Sequence, residues 1–170
     1  MSKPKRNSEP EEIIAGQRTF FVTSSTYGGR ALLQSDRMAR LLIDVLYHYR
    51  VEGKYQLLHE FVVMHNHFHF LITISQALSI ERAVQFVKGA FSFRAKRELG
   101  YASEIWQKGF SEHRIRDTDE YNARRDYIRL NPVRAGMAED YPYCSARPGY
   151  ELDPYPAAKA VFTGAPGRHG

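Results

Sequence analysis

His67 and His69 are separated by one apolar residue, Phe68, inside the run Met64-His65-Asn66-His67-Phe68-His69-Phe70-Leu71-Ile72-Thr73. Side chains of an extended strand alternate between faces, so the two imidazoles share one face of a sheet while Phe68, Phe70 and Ile72 line the other. Imidazole is the commonest metal ligand among side chains, which makes this pair half of a metal site with apolar backing behind it. A strand face can also carry two histidines with no chemical role, and a site needs more than two donors. The remaining donors must come from elsewhere in the chain.

Tyr127 and Asn131 are a second pair of interest. They are four residues apart in a segment of helical period, hence about 40° apart around the helix axis and on one face. Pro132 disfavours helical geometry at the residue before it, which predicts that Asn131 lies at the helix end with its amide free to point at a partner. The same two residues also read as a helix C-cap and a packing tyrosine, and taken alone they favour that reading.

The elements that must position these residues follow from periodicity. Thr19 to Thr26 is β-branched and aromatic and is closed by Gly28-Gly29, which predicts a first strand. From Ser35, Met38, Leu41, Leu42, Val45 and Leu46 fall on one stripe with Arg37, Arg40 and Asp44 largely off it, predicting a helix to about Arg50. Gly53 turns the chain into a second strand, Tyr55 to Val63, whose hairpin partner begins almost at once at His67. Ser79 caps a longer helix carrying Ile80, Ala83, Val84, Val87, Ala90 and Phe91 on its apolar side, and Gly100 stops it after Leu99. Ile105 to Arg116 predicts a fourth strand with a bend at Gly109. Asp117 and Glu120 have the spacing of a capping pair and open a last helix that runs to the Asn131-Pro132 step.

Strand, helix, strand, strand, helix, strand is the ferredoxin-like βαββαβ order. The expected fold is therefore α+β, an antiparallel four-stranded sheet with two helices on one face and an additional C-terminal helix. Such a sheet leaves its other face free to hold a site. Residues 1–14 mix Lys3, Lys5 and Arg6 with Glu9, Glu11 and Glu12 and read as a disordered arm; 15–140 form one domain; 141–170, rich in Pro and Gly, form an irregular tail. His48 is expected at the surface, His59 in a structural role and His113 as a plain strand residue.

Composition bounds the function classes. A chain of 170 residues with 43% hydrophobic content fits one domain with a real core. Its single cysteine, Cys144, excludes an internal disulfide and a cysteine-based zinc cluster, and suits a reducing compartment, the cytoplasm by default. The N-terminal stretch has no apolar signal region and no run is long enough to span a membrane. Net charge is +5, and residues 79–134 hold twelve Lys and Arg against eight Asp and Glu, or +4 of that total. Such a balance points to a polyanion as partner, although a solvated helix face gives the same count.

Three segments together, Val63-Met64-His65-Asn66-His67-Phe68-His69-Phe70-Leu71-Ile72, Trp106-Gln107-Lys108-Gly109 and Tyr127-Ile128-Arg129-Leu130-Asn131-Pro132-Val133-Arg134-Ala135-Gly136, resemble the REP-associated tyrosine transposases. These belong to the single-tyrosine HUH transposases. The likeness covers roughly residues 15–147 and includes Tyr141-Pro142-Tyr143-Cys144-Ser145-Ala146, where the family often has Pro-Trp-Ser-Ser. One departure is His65, where the family usually has proline.

The resemblance implies that His67 and His69 are metal ligands, Tyr127 is the catalytic nucleophile carried on the C-terminal helix, and Asn131 is the third ligand. It implies Mg²⁺ or Mn²⁺ as cofactor and single-stranded DNA folded into imperfect REP hairpins as partner and substrate, acted on in the bacterial cytoplasm at the nucleoid by a monomer, with a dimer as the alternative. Lys88, Arg94, Lys96, Arg114, Arg116, Arg124 and Arg129 become candidates for phosphate contacts, which position DNA without reading sequence. Two rivals remain at this level: another HUH endonuclease of the replication-initiator or relaxase kind, and a ferredoxin-like nucleic-acid binder without turnover.

Overall fold

The structure, a computed structural model, describes residues 16–156; the expected arm at 1–14 and the tail beyond 156 lie outside the described residues. Four strands, β1 (Gln17–Ser25), β2 (Leu57–Val63), β3 (His67–Ser75) and β4 (Ser111–Ile115), alternate with three helices, α1 (Asp36–Val51), α2 (Ile80–Leu99) and α3 (Thr118–Arg134). The sheet order is β2-β3-β1-β4 with every neighbouring pair antiparallel. That is the ferredoxin-like arrangement, with β3 and β1 in the middle and the third helix added.

Strand alternation sorts the side chains onto two faces. Phe20 and Val22 of β1 and Phe68, Phe70, Ile72 and Ile74 of β3 join the apolar stripes of α1 and α2 in the larger core. Phe21, Val62, Leu71 and Ile115 form a second, smaller core with Tyr121 and Ile128 of α3. The face expected to be free is therefore covered, because α3 lies across it. The sequence gives no warning of this, since α3 is mostly polar and buries only Tyr121, Ile128, Asn131 and Pro132.

The caps behave as their residue types dictate. Ser35 and Ser79 accept from the amides of Met38 and Arg82, and Gly100 closes α2 in the left-handed region at φ 73°. At α3 the Asp117 carboxylate accepts from the Glu120 amide at 2.8 Å while Glu120 Oε1 accepts from the Arg116 amide at 2.8 Å. Each such cap contributes about 1 kcal/mol.

Two boundaries differ from the sequence expectation. The fourth strand is short, because Gly109 turns at φ 80° and the Lys88 ammonium draws the carbonyls of Gln107 and Gly109 out of the ladder at 3.1 and 2.7 Å. Trp106 makes only an isolated bridge to Thr26. The last helix does not end at Asn131-Pro132 but continues through Pro132 to Arg134. Proline lacks the N–H that would bond the carbonyl four residues back. That carbonyl, on Ile128, is met instead by the Cys144 thiol at 3.7 Å, so the helix persists and Asn131 sits buried in its last turn.

Residues 141–156 are irregular yet docked. Tyr143 and Ser145 exchange backbone hydrogen bonds with Val63 and Phe61, at 2.8 and 2.9 Å, which covers the outer edge of β2. Asp153 accepts two bonds from Arg50, at 2.5 and 2.8 Å, and one from the Leu58 amide at 2.9 Å.

Candidate active site

β3 begins immediately after the hairpin tip His65-Asn66, and the tip is held from behind: the amides of Leu33 and Thr26 donate to the carbonyls of His65 and Asn66, at 2.8 and 2.9 Å. This fixes where β3 starts and hence which face takes His67 and His69. Both lie on the α3 side, with ring centroids 4.9 Å apart. The alternation expected from the sequence is present, with Phe68, Phe70 and Ile72 in the opposite core.

Each imidazole has one nitrogen engaged. His67 Nδ1 lies 2.8 Å from Asn66 Oδ1; an amide oxygen only accepts, so the ring donates there and its Nε2 keeps a lone pair. His69 Nδ1 is 2.8 Å from the Thr23 hydroxyl, and His69 Nε2 is buried with no hydrogen-bond partner among the described residues. Burial, with smaller contributions from His67 and Arg124, depresses the His69 pKa from 6.5 to about 3, and burial also lowers that of His67. Both rings are therefore neutral at pH 7; His67 keeps a lone pair at Nε2, and His69 does so in the tautomer that donates from Nδ1 to the Thr23 hydroxyl. A metal-ligating histidine has this pattern, its far nitrogen oriented by a neighbouring group. No cluster of three His, Cys, Asp or Glu side chains occurs among the described residues, so a third donor drawn from them would be of another type, such as an amide.

Tyr127 comes to the same spot from α3. Its ring lies 5.4 Å from that of His69 and 5.9 Å edge-on from Phe21, while Phe21 stacks on His69 at 5.1 Å. Phe21 is thus a platform that sets the spacing between strand and helix. Tyr127 remains 37% exposed, which leaves the phenol open to a ligand. Asn131, one turn on, is 9% exposed.

The basic residues singled out in the sequence separate into groups. Arg124 lies on the site side, its guanidinium 4.7 Å from the centre of the Phe21 ring. Arg129 is directed inward instead, donating to both oxygens of the buried Glu60 at 2.9 Å, and Ser145 donates to Glu60 at 2.6 Å. Arg94 pairs with Asp44 and Glu98 at 2.9 and 2.7 Å, and Lys88 serves the carbonyls described above. Lys96 is an exposed residue of α2, Arg114 of β4 lies 5.7 Å from the Phe20 ring on the α1–α2 side, and Arg116 sits at the β4–α3 junction.

His59, His113 and His48 each have partners of their own. A bulge in β2 between Leu58 and Glu60 puts His59 and Glu60 on the same face. His59 Nδ1 donates to the Asp153 carbonyl at 2.6 Å, so Nε2 must accept from the Thr73 hydroxyl at 2.7 Å, which in turn accepts from Thr19 at 2.7 Å. His113 stands 3.7 Å from Glu120, and His48 pairs with Glu52 on the surface of α1 at 3.2 Å.

Asn66 adjoins His67 in the sequence, whereas Thr23, Phe21 and Arg134 are neighbours of the site that no pattern in the sequence singles out. Only the β1–β3 register, which sets Thr23 opposite His69, and the course of α3 bring them there.

Comparison with known proteins now bears on this geometry. Residues 24–131 match the family described as Transposase IS200 like. A Haemophilus influenzae protein described as a REP-associated tyrosine transposase is 27% identical over 162 residues, covering 84% of this chain and 92% of that one. The REP-associated tyrosine transposase of Escherichia coli K12 is 40% identical over 57 residues, 29% of this chain and 34% of that one. Among solved structures, a REP-associated tyrosine transposase bound to a REP hairpin superposes with TM-score 0.63 at 22% identity, over 92% of this chain and 96% of that chain. A transposase from Deinococcus radiodurans R1 gives TM-score 0.50 at 16% identity over 72% and 92%. These two likenesses are likenesses of fold. No helix among the described residues is long and apolar enough to cross a membrane. Because the family match spans both the histidine pair and the tyrosine-bearing turn of α3, the chain belongs to the IS200-like transposases, a family of DNA-processing enzymes, and its relatives there are REP-associated tyrosine transposases.

Proposed function

We propose that this chain is a metal-dependent single-stranded DNA endonuclease and strand transferase that cleaves and rejoins REP-type hairpins through a 5′-phosphotyrosine intermediate. The observation that carries the reading is the approach of Tyr127 to His69, ring centroids 5.4 Å apart, with His69 Nε2 buried and without a hydrogen-bond partner among the described residues. A buried polar nitrogen left open is costly unless a ligand completes it.

His67, His69 and the Asn131 amide are the donors that would hold Mg²⁺ or Mn²⁺. The ion would supply Lewis acidity at the scissile phosphate. A neutral phenol is a poor nucleophile, so the reaction needs a phosphate whose charge is offset and whose position is fixed. Tyr127 Oη bonds to phosphorus and releases its proton; the P–O3′ bond breaks and the departing oxygen takes up a proton, leaving a free 3′-hydroxyl. The phosphodiester energy is conserved in the phosphotyrosine, so another 3′-hydroxyl can reverse the step and join strands without a nucleotide cofactor.

Tyr127 and the histidine pair meet within one chain, which supports a monomer as the working unit. Of the basic residues, Arg124 is best placed to meet DNA at the site, while Lys88, Arg94 and Arg129 are held by the protein itself. The test is incubation of end-labelled REP-like hairpins with the protein and Mn²⁺ or Mg²⁺, beside Tyr127→Phe and His67→Ala. A covalent protein–DNA adduct with the parent, absent from both variants, is expected. Hairpin binding without any adduct would favour a non-catalytic binder.

A further inference from the structure

Four arginines project from α3, and the structure divides them. Arg125 pairs with Asp126 at 3.1 Å and Arg129 with Glu60 at 2.9 Å. Arg124 and Arg134 have no carboxylate partner among the described residues, and both instead lie against the aromatic rings of the candidate site. The Arg124 guanidinium is 4.7 Å from the centre of Phe21, which itself touches Tyr127 and His69. The Arg134 guanidinium is 5.4 Å from the centre of the Tyr127 ring.

Helix geometry explains how two residues so far apart in sequence reach one site. Arg124 precedes Tyr127 by three residues, about 60° around the axis, and Arg134 follows by seven, about 20° the other way and about 10.5 Å along the axis. Side chains on a helix lean towards its N-terminus, so the long Arg134 side chain folds back over the Tyr127 ring while Arg124 lies against the neighbouring Phe21.

We propose that Arg124 and Arg134 form a two-guanidinium clamp that grips the non-bridging oxygens of the phosphodiester attacked by Tyr127 and then of the phosphotyrosine itself. This rests on the reading of Tyr127 as nucleophile. Arginine suits the task because its planar fork makes paired hydrogen bonds to phosphate and keeps its charge at any working pH. Negative charge grows on those oxygens as the phenolic oxygen adds, so donors fixed beforehand act more strongly on the transition state than on bound DNA. No additional reactant is required: the O–P bond forms, the P–O3′ bond breaks, and the proton balance is that given above.

The experiment uses the full chain with Arg124→Gln, Arg134→Gln and Arg134→Lys. Three quantities are read: the rate of adduct formation at saturating hairpin, thermal melting, and the slope of log Kd against log salt, measured in a Tyr127→Phe background that cannot react. The clamp predicts a rate loss of tenfold or more in each Gln variant with melting unchanged. It also predicts a salt slope shallower by about 0.7 per arginine, the increment for one phosphate contact on single-stranded DNA. Arg134→Lys should keep the slope but recover only part of the rate, whereas a cation serving merely the C-terminal end of α3 would be replaced fully by lysine. Unchanged rate, or a lowered rate with an unchanged salt slope, overturns the clamp and leaves Tyr127 as nucleophile untouched. If the parent forms no adduct with either metal, the nucleophile reading fails separately; a salt slope lowered by both substitutions then still supports the phosphate grip, and an unchanged one overturns it.

Discussion

Replacing Arg129 by methionine separates two roles that the sequence could not distinguish, a hand for DNA phosphate and a pin for the helix that carries Tyr127. The Glu60 side chain is 5% exposed and accepts from Arg129 twice, at 2.9 Å, and from Ser145 once, at 2.6 Å. Removing one partner of a buried ion pair costs roughly 3–5 kcal/mol because the other charge is stranded. Here the cost is reduced, since the Arg129 side chain is 37% exposed, Ser145 remains, and burial already raises the Glu60 pKa so that the carboxylate can take up a proton. About 2 kcal/mol at pH 7 is the expected loss, read as a lower urea midpoint at constant slope. Two companions check the cause. In a Glu60→Gln background the same substitution should cost less than about 1 kcal/mol, and the deficit of the single variant should shrink as pH falls and Glu60 protonates. A variant within about 0.5 kcal/mol of the parent, with a hairpin affinity shallower in salt by about 0.7, would refute the pin and return Arg129 to the DNA interface.

Acid should weaken the fold through His59. Its pKa falls from 6.5 to about 4 on burial, so the stability it contributes is complete above pH 6.5 and is lost as pH falls towards 4; at ~1.36 kcal/mol per unit this is about 3 kcal/mol. An NMR titration of the folded protein checks it, and a His59 midpoint near 6.5 would contradict the bonding derived for the ring. Asn66→Ala frees His67 Nδ1 and should raise the Mn²⁺ concentration needed for half-maximal adduct formation by about tenfold or more, with melting little changed. An unaltered metal dependence would remove Asn66 from the site.

What could be read in advance followed from periodicity and from local rules. The βαββαβ order, the stripes of α1 and α2, the caps at Ser79 and Asp117 and the shared face of His67 and His69 all depend on contacts within a few residues of each other. What escaped depends on distant partners. Pro132 predicted a helix end because the rule concerns a lone helix; the Cys144 thiol, which meets the Ile128 carbonyl, is supplied from outside it. The open sheet face was expected because a ferredoxin-like sheet packs its two helices on one side, yet Tyr121 and Ile128 suffice to seat α3 over Phe21 and Leu71. Lys88 and Arg129 looked like surface cations, since neither the carbonyls of Gln107 and Gly109 nor the bulge that turns Glu60 inward can be inferred from charge. For the same reason Arg134 passed unnoticed, its proximity to Tyr127 depending on the helix running through the proline.

The central claim is that Tyr127 attacks DNA phosphate beside His67 and His69, and the most direct test is to locate the bond. The protein is reacted with a REP-like hairpin and Mn²⁺, digested with nuclease and trypsin, and searched by mass spectrometry for a nucleotide-bearing peptide. The account predicts the remnant on the segment Asp126-Tyr127-Ile128-Arg129, and none after His67→Ala. A remnant on any other of the eleven tyrosines, or on this segment regardless of the histidines, would contradict it.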